Sequence, residues 1–351
     1  MYYPRRLALT KNRDCFALNH KSDGGKSGVL LVNLGTPDTP EYWPVRRYLS
    51  QFLSDRRVID LPGLLWKPIL HGVVLPLRPF RSSAAYKKIW MHEHDESPLR
   101  WYTDQQVKKI RARMDPASDT VIELAMRYGN PSIESKIEAL RDQDCDRLCV
   151  IALFPQYSST TTATIYDEVF RILSRMRWQP PVRTGRPLID HPTYIDCLCR
   201  SLKQGLDNLE FTPDRLILSF HGLPTSYIRK GDPYYTHCQR TTEEINKHHD
   251  DGHPAWTLAF QSRFGPVKWI EPHTSDVLKN LPGDGARNVA VAAPAFISDC
   301  IETLEELDIE YRELFMDHGG EHYAVLPCLN DSELAIDALQ SIIEIELSGW
   351  T

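Results

Sequence analysis

The chain has 351 residues, 42% of them hydrophobic and 25% charged, with a net charge of −6. That length accommodates one large or two medium domains with full cores, and the mildly acidic balance gives no electrostatic footprint for nucleic acid. Eight cysteines without a CxxC pair or zinc-finger spacing argue against a disulfide framework and for reduced thiols in a cytosolic compartment.

Residues 1–27 are polar, mildly basic and lack an apolar h-region, and read as a disordered leader. The first strand is expected at Gly28–Val32, ending in Asn33-Leu34-Gly35-Thr36-Pro37. Next comes the most apolar stretch, Leu61 to Leu77, which three prolines, two glycines and a lysine interrupt. It is too broken to span a bilayer and reads either as apolar segments lying on a surface or as two core helices. Val121–Met126 and Leu148–Phe154 are the next strands, each stopped by Gly or Pro chemistry, with helical spacing at Tyr102–Met114, Ile133–Asp142 and Tyr166–Met176.

In the second half, strands are expected at Leu216–Phe220, Trp256–Phe260 and Val289–Phe296, with helices at Thr241–His248 and Ser332–Leu347. Such alternation implies βαβ units and a parallel sheet. The expected organisation is an N-terminal α/β domain over 28–188, a second over 189–331, and a C-terminal helix in 332–351 packing back. Two similar doubly wound, Rossmann-like domains would face a central cleft lined by the carboxyl ends of their strands.

Two residues stand at those ends with useful chemistry. His221 follows Leu216–Phe220, and Glu302 follows the Phe296 strand. Asp299, Glu302, Glu306 and Glu310 would share one face of a helix, opposite a packing stripe of Ile301, Leu304, Leu307, Tyr311 and Leu314. The blander reading of Asp299 and Glu302 is a capping box, but a cap does not account for Glu306 and Glu310. The His92–Glu96 and His248–His253 clusters match no metal-ligand spacing and read as solvated loops. No dinucleotide fingerprint, Walker loop or Gly-x-Ser-x-Gly elbow is present.

Taken together, Val32–Pro37, Phe154–Ser158, Ser219–Pro224 with Gly231–Tyr234, Gln261–Pro266 to Trp269, and Ser298–Glu306 closely resemble the ferrochelatase family, in order, from about Gly28 to the C-terminus. The resemblance implies a chelatase-like fold and a lyase that inserts Fe(2+) into protoporphyrin IX to give protohaem, the last step of haem synthesis. His221 and Glu302 match the family's active-site pair on opposite sides of the porphyrin, as catalytic and metal-binding groups. Leu31, Tyr86, Arg127, Tyr157, Ser262, Trp269 and Phe296 match substrate-binding positions. Segment 61–77 matches an apolar lip over the pocket mouth, suited to peripheral contact with a membrane from the cytoplasmic side. The helix after Asp299 matches one with a π-turn. Iron is implied as substrate, with no tightly bound cofactor. Ser159 stands in place of a cysteine and the last cysteine is Cys328, so no [2Fe–2S] cluster is expected. Cys300 stands where some relatives, the animal enzymes among them, have a histidine.

Insertion requires bending a planar macrocycle and removing two pyrrole protons, which a neutral imidazole can accept at physiological pH. The sequence is compatible with either residue as base; His221 is taken here as the base, with Glu302 and Glu306 on the other face. The competing readings are a chelatase for coproporphyrin or another tetrapyrrole, and a non-catalytic porphyrin or metal carrier.

Overall fold

The computed structural model describes residues 25–115, 118–249 and 252–350. The first half forms β1 (Lys26–Gly35), α1 (Tyr42–Ser54), α2 (Gly63–Ile69), a π-helix (Leu70–Val74), α3 (Leu75–Ile89), α4 (Pro98–Arg113), β2 (Thr120–Tyr128), α5 (Ile133–Arg141), β3 (Cys145–Ala152), α6 (Thr162–Leu173) and β4 (Val182–Thr184). The second half forms α7 (Pro192–Asp207), β5 (Arg215–His221), α8 (Thr225–Arg229), α9 (Tyr234–Lys247), β6 (Trp256–Gln261), α10 (Thr274–Asn280), β7 (Asn288–Ala292), a second π-helix (Glu302–Glu310), α11 (Tyr311–Asp317), β8 (His322–Val325) and α12 (Glu333–Leu347). The leader expected over 1–27 lies outside the described residues as far as residue 24, and β1 starts at Lys26, two residues before the expected strand.

All strand pairings are parallel. They make two four-stranded sheets of matching order, β2-β1-β3-β4 and β6-β5-β7-β8. Parallel strands covered on both faces read as continuous apolar runs, and β1 illustrates why. Val29 and Leu31 enter one core with α4, α7 and α12, while Leu30 and Val32 enter another with α5 and α6. The first of these cores continues into β5, β6 and β7, so the two sheets share an interior. α12 packs back on α7, α4 and β3.

Polar ties cross between the halves. Gln106 Nε2 donates to Ser298 Oγ at 3.0 Å, and Gln156 Nε2 to Thr241 Oγ1 at 3.1 Å. Asp232 caps the start of α9 through the Tyr234 amide at 3.0 Å and accepts from Ser158 Oγ and the Ser159 amide at 3.0 and 2.7 Å. That accounts for two of the motifs at once, because the Gly-Asp-Pro-Tyr turn anchors the Pro-Gln-Tyr-Ser loop.

The apolar stretch 61–77 does not form two core helices; most of its large side chains lie on the surface. It is helical from Gly63 onward, with Pro68 inside α2 and the Leu70–Val74 π-helix absorbing the irregularity. Leu70 and Leu75 are buried, whereas Leu64 is 92%, Leu65 65% and Leu77 66% exposed.

Candidate active site at the strand ends

His221 is the last residue of β5 and is half-buried. The His-Gly-Leu-Pro turn after it pairs with segment 268–270, through Ile270 N to Leu223 O at 2.9 Å and Thr225 N to Lys268 O at 2.9 Å. Trp269 is thereby seated on the Gly222 backbone. A Cβ at Gly222 would stand 2.7 Å from the Gln261 carbonyl and 3.2 Å from the Trp269 ring, so glycine is what allows the close approach. A second required glycine is Gly35, where φ is +113° and a Cβ would meet the Tyr128 carbonyl at 1.8 Å.

A small cavity of about 40 Å³ is lined by the end of β1 and residues after it (Asn33–Thr36), Tyr48, Tyr86, Phe154, Phe296, Cys300 and Glu302. Glu302 begins its π-helix and is the acid of that helix that lines the cavity. Its charge reaches the buried hydroxyls of Tyr48 and Tyr86; burial first, and then Glu302, pushes the Tyr86 phenol far above its usual value. Burial likewise raises the Cys300 thiol, which hydrogen-bonds the Glu302 side chain. Arg78 on α3 feels the charge of this acid, and its guanidinium lies 4.9 Å over the Phe264 ring, which belongs to the second half of the chain; burial holds it below its ordinary value, with Tyr48 and Glu302 opposing.

Tyr86, Phe296 and Glu302 therefore meet in one cavity, while His221, Trp269, Arg127, Tyr157 and Ser262 lie outside its lining. Arg127 is tied to Thr164 O at 2.8 Å and to Asp55 at 2.6 Å. Tyr157 is half-buried, its amide donating to His237 Nδ1 at 3.2 Å. Leu31 does not belong with these residues: it is wholly buried in the core beneath β1, because in a strand covered on both faces every mid-strand side chain is interior.

The acids flanking Glu302 are not a free stripe. Asp299 is buried and accepts from Thr303 Oγ1 at 2.9 Å, Asn330 Nδ2 at 2.6 Å and Cys328 N at 3.4 Å. The capping box with Glu302 is not formed; the Asp299 amide donates to Asn330 Oδ1 instead, at 2.8 Å. Both oxygens of Glu306 are hydrogen-bonded within the protein. Glu310 stands near Arg81 and Lys88, and burial together with Glu306 and Glu305 raises its carboxyl above the usual range. Asp299→Ala should consequently lower stability by about 2 kcal/mol, through orphaned partners; an unchanged Tm would deny it this anchoring role.

Among the described residues, no three His, Cys, Asp or Glu side chains form a metal-holding group. The sequence reading missed Gln261, Arg78 and Tyr48. Gln261 carries the same signature as His221, a polar residue closing an apolar strand, and Arg78 is the first cation after the Val73–Leu77 apolar run.

The Ferrochelatase family model matches residues 26–347. A ferrochelatase of Agrobacterium fabrum is 47% identical over 326 residues, covering 93% of this chain and 95% of that protein. One from Chelativorans sp. is also 47% identical, with 93% and 92% covered, and one from Brucella canis is 46% identical over 325 residues, with the same coverages. Among solved structures, SirB from Bacillus subtilis with Fe3+ superposes with a TM-score of 0.56 at 12% identity, covering 93% of this chain and 97% of that one, a likeness in fold. The chain belongs to the ferrochelatase family.

Proposed function

We propose that the ferrochelatase reaction runs in this chain between His221 and Glu302, with the macrocycle of protoporphyrin IX held between them. The observation that carries this is the cavity in which Glu302 is presented to the aromatic side chains of Tyr86, Phe154 and Phe296, with His221 in register with Gln261, whose side chain bonds the Glu302 backbone. Aromatic walls supply a flat apolar ring with most of its binding energy, which can be spent on bending it. Insertion forms four Fe–N bonds, and two pyrrole N–H bonds break. The two protons leave one at a time, each taken by the single lone pair of the neutral His221 imidazole and passed on to solvent, while Glu302 meets the iron on the other face. One imidazole with carboxylate oxygen suits Fe(II) while binding it loosely enough to release it. Iron is the substrate, and no resident cofactor is part of this reading. Arg127, Tyr157, Ser262 and Trp269 shape the rim. The test is whether His221→Ala and Glu302→Gln each remove insertion while leaving porphyrin bound.

The mouth carries a second element of the proposal. Leu64, Leu65, Leu77 and Phe80 are exposed on one side and Phe264 and Val267 on the other, with Lys67, Arg81 and Lys268 among them. An apolar band edged by cations suits the headgroup region of an anionic bilayer, so the protein would work in the cytoplasm, at the inner face of the membrane. Among the described residues, no helix is long and apolar enough to cross it. Changing Leu64, Leu65 and Leu77 together to Ser should weaken binding to anionic vesicles by about tenfold or more, since each exposed leucine would bury about 1.5–3 kcal/mol of apolar surface. Porphyrin KM should rise and Tm should hold. A fall in Tm with unchanged vesicle binding would overturn this use of the lip.

A further inference from the structure

Gln261 closes β6 in register with His221 on β5, and its side chain is almost fully buried, at 1% exposure. Its Oε1 accepts from Ser219 Oγ at 2.8 Å, and that hydroxyl also meets Thr274 Oγ1 at 2.8 Å. Its Nε2 donates to the Glu302 carbonyl at 2.9 Å and to Glu306 Oε2 at 3.2 Å. Glu306 is held from the other side as well, by Ser262 Oγ at 2.5 Å, Ser262 N at 2.7 Å and the Tyr311 hydroxyl at 2.8 Å. Ser262 adopts φ +64°, a left-handed conformation that costs a non-glycine residue energy; in it, both the amide and the hydroxyl of Ser262 reach Glu306.

The polarity of this network runs one way. Only an amide can accept from Ser219 on one side while donating to a carbonyl and a carboxylate on the other. In a buried site a partner of the wrong sign costs more than a missing bond. Neither Gln261 nor Glu306 lines the cavity, yet Gln261 bonds the backbone of Glu302, which does.

We propose that Gln261 and Glu306 form a positioning clamp that fixes the first turn of the π-helix against the end of β6, and so sets where the Glu302 carboxylate meets the porphyrin. The inference rests on Glu302 being the acting group on its face. Groups that hold a reacting side chain within a fraction of an ångström affect turnover without touching substrate.

The test uses the full chain and reads anaerobic kcat and iron KM, porphyrin Kd by fluorescence quenching, and Tm. Gln261→Glu keeps the shape and the Ser219 bond, but sets an acceptor against the Glu302 carbonyl and the Glu306 carboxylate. It should lower kcat about tenfold or more, with porphyrin Kd unchanged to within about twofold. Glu306→Gln turns an amide donor towards the Gln261 donor and should lower kcat about threefold to tenfold. Combining Gln261→Glu with Glu306→Gln restores one donor facing one acceptor, in reversed order, and kcat should rise above that of either single variant. Wild-type kcat in Gln261→Glu, or a double variant no better than Glu306→Gln alone, overturns the clamp. If Gln261→Glu does not fold, the second comparison decides. Glu302→Gln in the same assay separates this inference from the reading beneath it. Full turnover there removes the role of Glu302 itself. Its loss, with clamp variants at the wild-type rate, removes only the clamp.

Discussion

Glu302→Gln should cut kcat by about a hundredfold or more, the range over which a positioned acid or base acts, while Tm and porphyrin affinity stay near those of the parent chain. The substitution is isosteric, and its backbone carbonyl still receives the Gln261 amide, so the π-helix keeps its anchor. What changes is the charge in a cavity whose other polar side chains are uncharged: Asn33, Thr36, Ser97, two phenols and a thiol. The amide can neither take a proton nor offer an anionic ligand to Fe(II). Glu305→Gln is the matched control. Glu305 pairs with Lys88 at 2.9 Å, and such a pair with one exposed partner contributes at most about 1 kcal/mol. Equal, mild effects at both positions would leave Glu302 as a spectator on a helix face.

His221→Ala is the second large effect. Its loss should reduce insertion to under about a tenth of the parent rate, since the step loses a positioned base. Porphyrin binding should persist, because the ring's contacts with Phe154, Phe296 and Tyr86 lie in a cavity that does not include His221. Stability should change little, as the side chain is half-buried at a strand end and the turn after it is held by backbone bonds from Gly222 and Ile270. Anaerobic metallation and fluorescence quenching on the same sample distinguish this from a pocket defect: if affinity falls in step with rate, His221 binds the ring and is not the base.

Six strands were legible because each is a buried run halted by Gly, Pro or a polar residue, and turn chemistry is local. The edge strands β4 and β8 were not: Val182–Thr184 and His322–Val325 are short, carry polar residues and gain strand character only from a neighbour. The long helices lie where apolar spacing puts them, as Ile133–Arg141 and Glu333–Leu347 do. Around Pro68 two readings stood open, surface-lying segments and core helices, and proline alone could not separate them; the helix passes it with a widened turn that no composition rule anticipates. At the site, the sequence could nominate His221 and Glu302 by position, and the likeness in motifs could suggest their roles. It could not tell that Asp299 and Glu306 are consumed by Asn330, Thr303, Ser262 and Tyr311, because those partners arrive from loops and strands far along the chain.

β1 and β2 are hydrogen-bonded neighbours from Ser27 with Thr120 to Gly35 with Tyr128, and everything from α1 to α4 is strung between them. Parts of this excursion are anchored, since α4 enters the core with Val29 and Leu31 and Leu70 and Leu75 are buried. Around Leu64 and Leu65 the chain is exposed, and doubling a loop's length costs only about 0.6 kcal/mol, so a change of length there should leave the strand register as it is. The segment at the mouth thus behaves as an interchangeable module, on which new entry properties can be tried while the chemistry at the strand ends stays fixed.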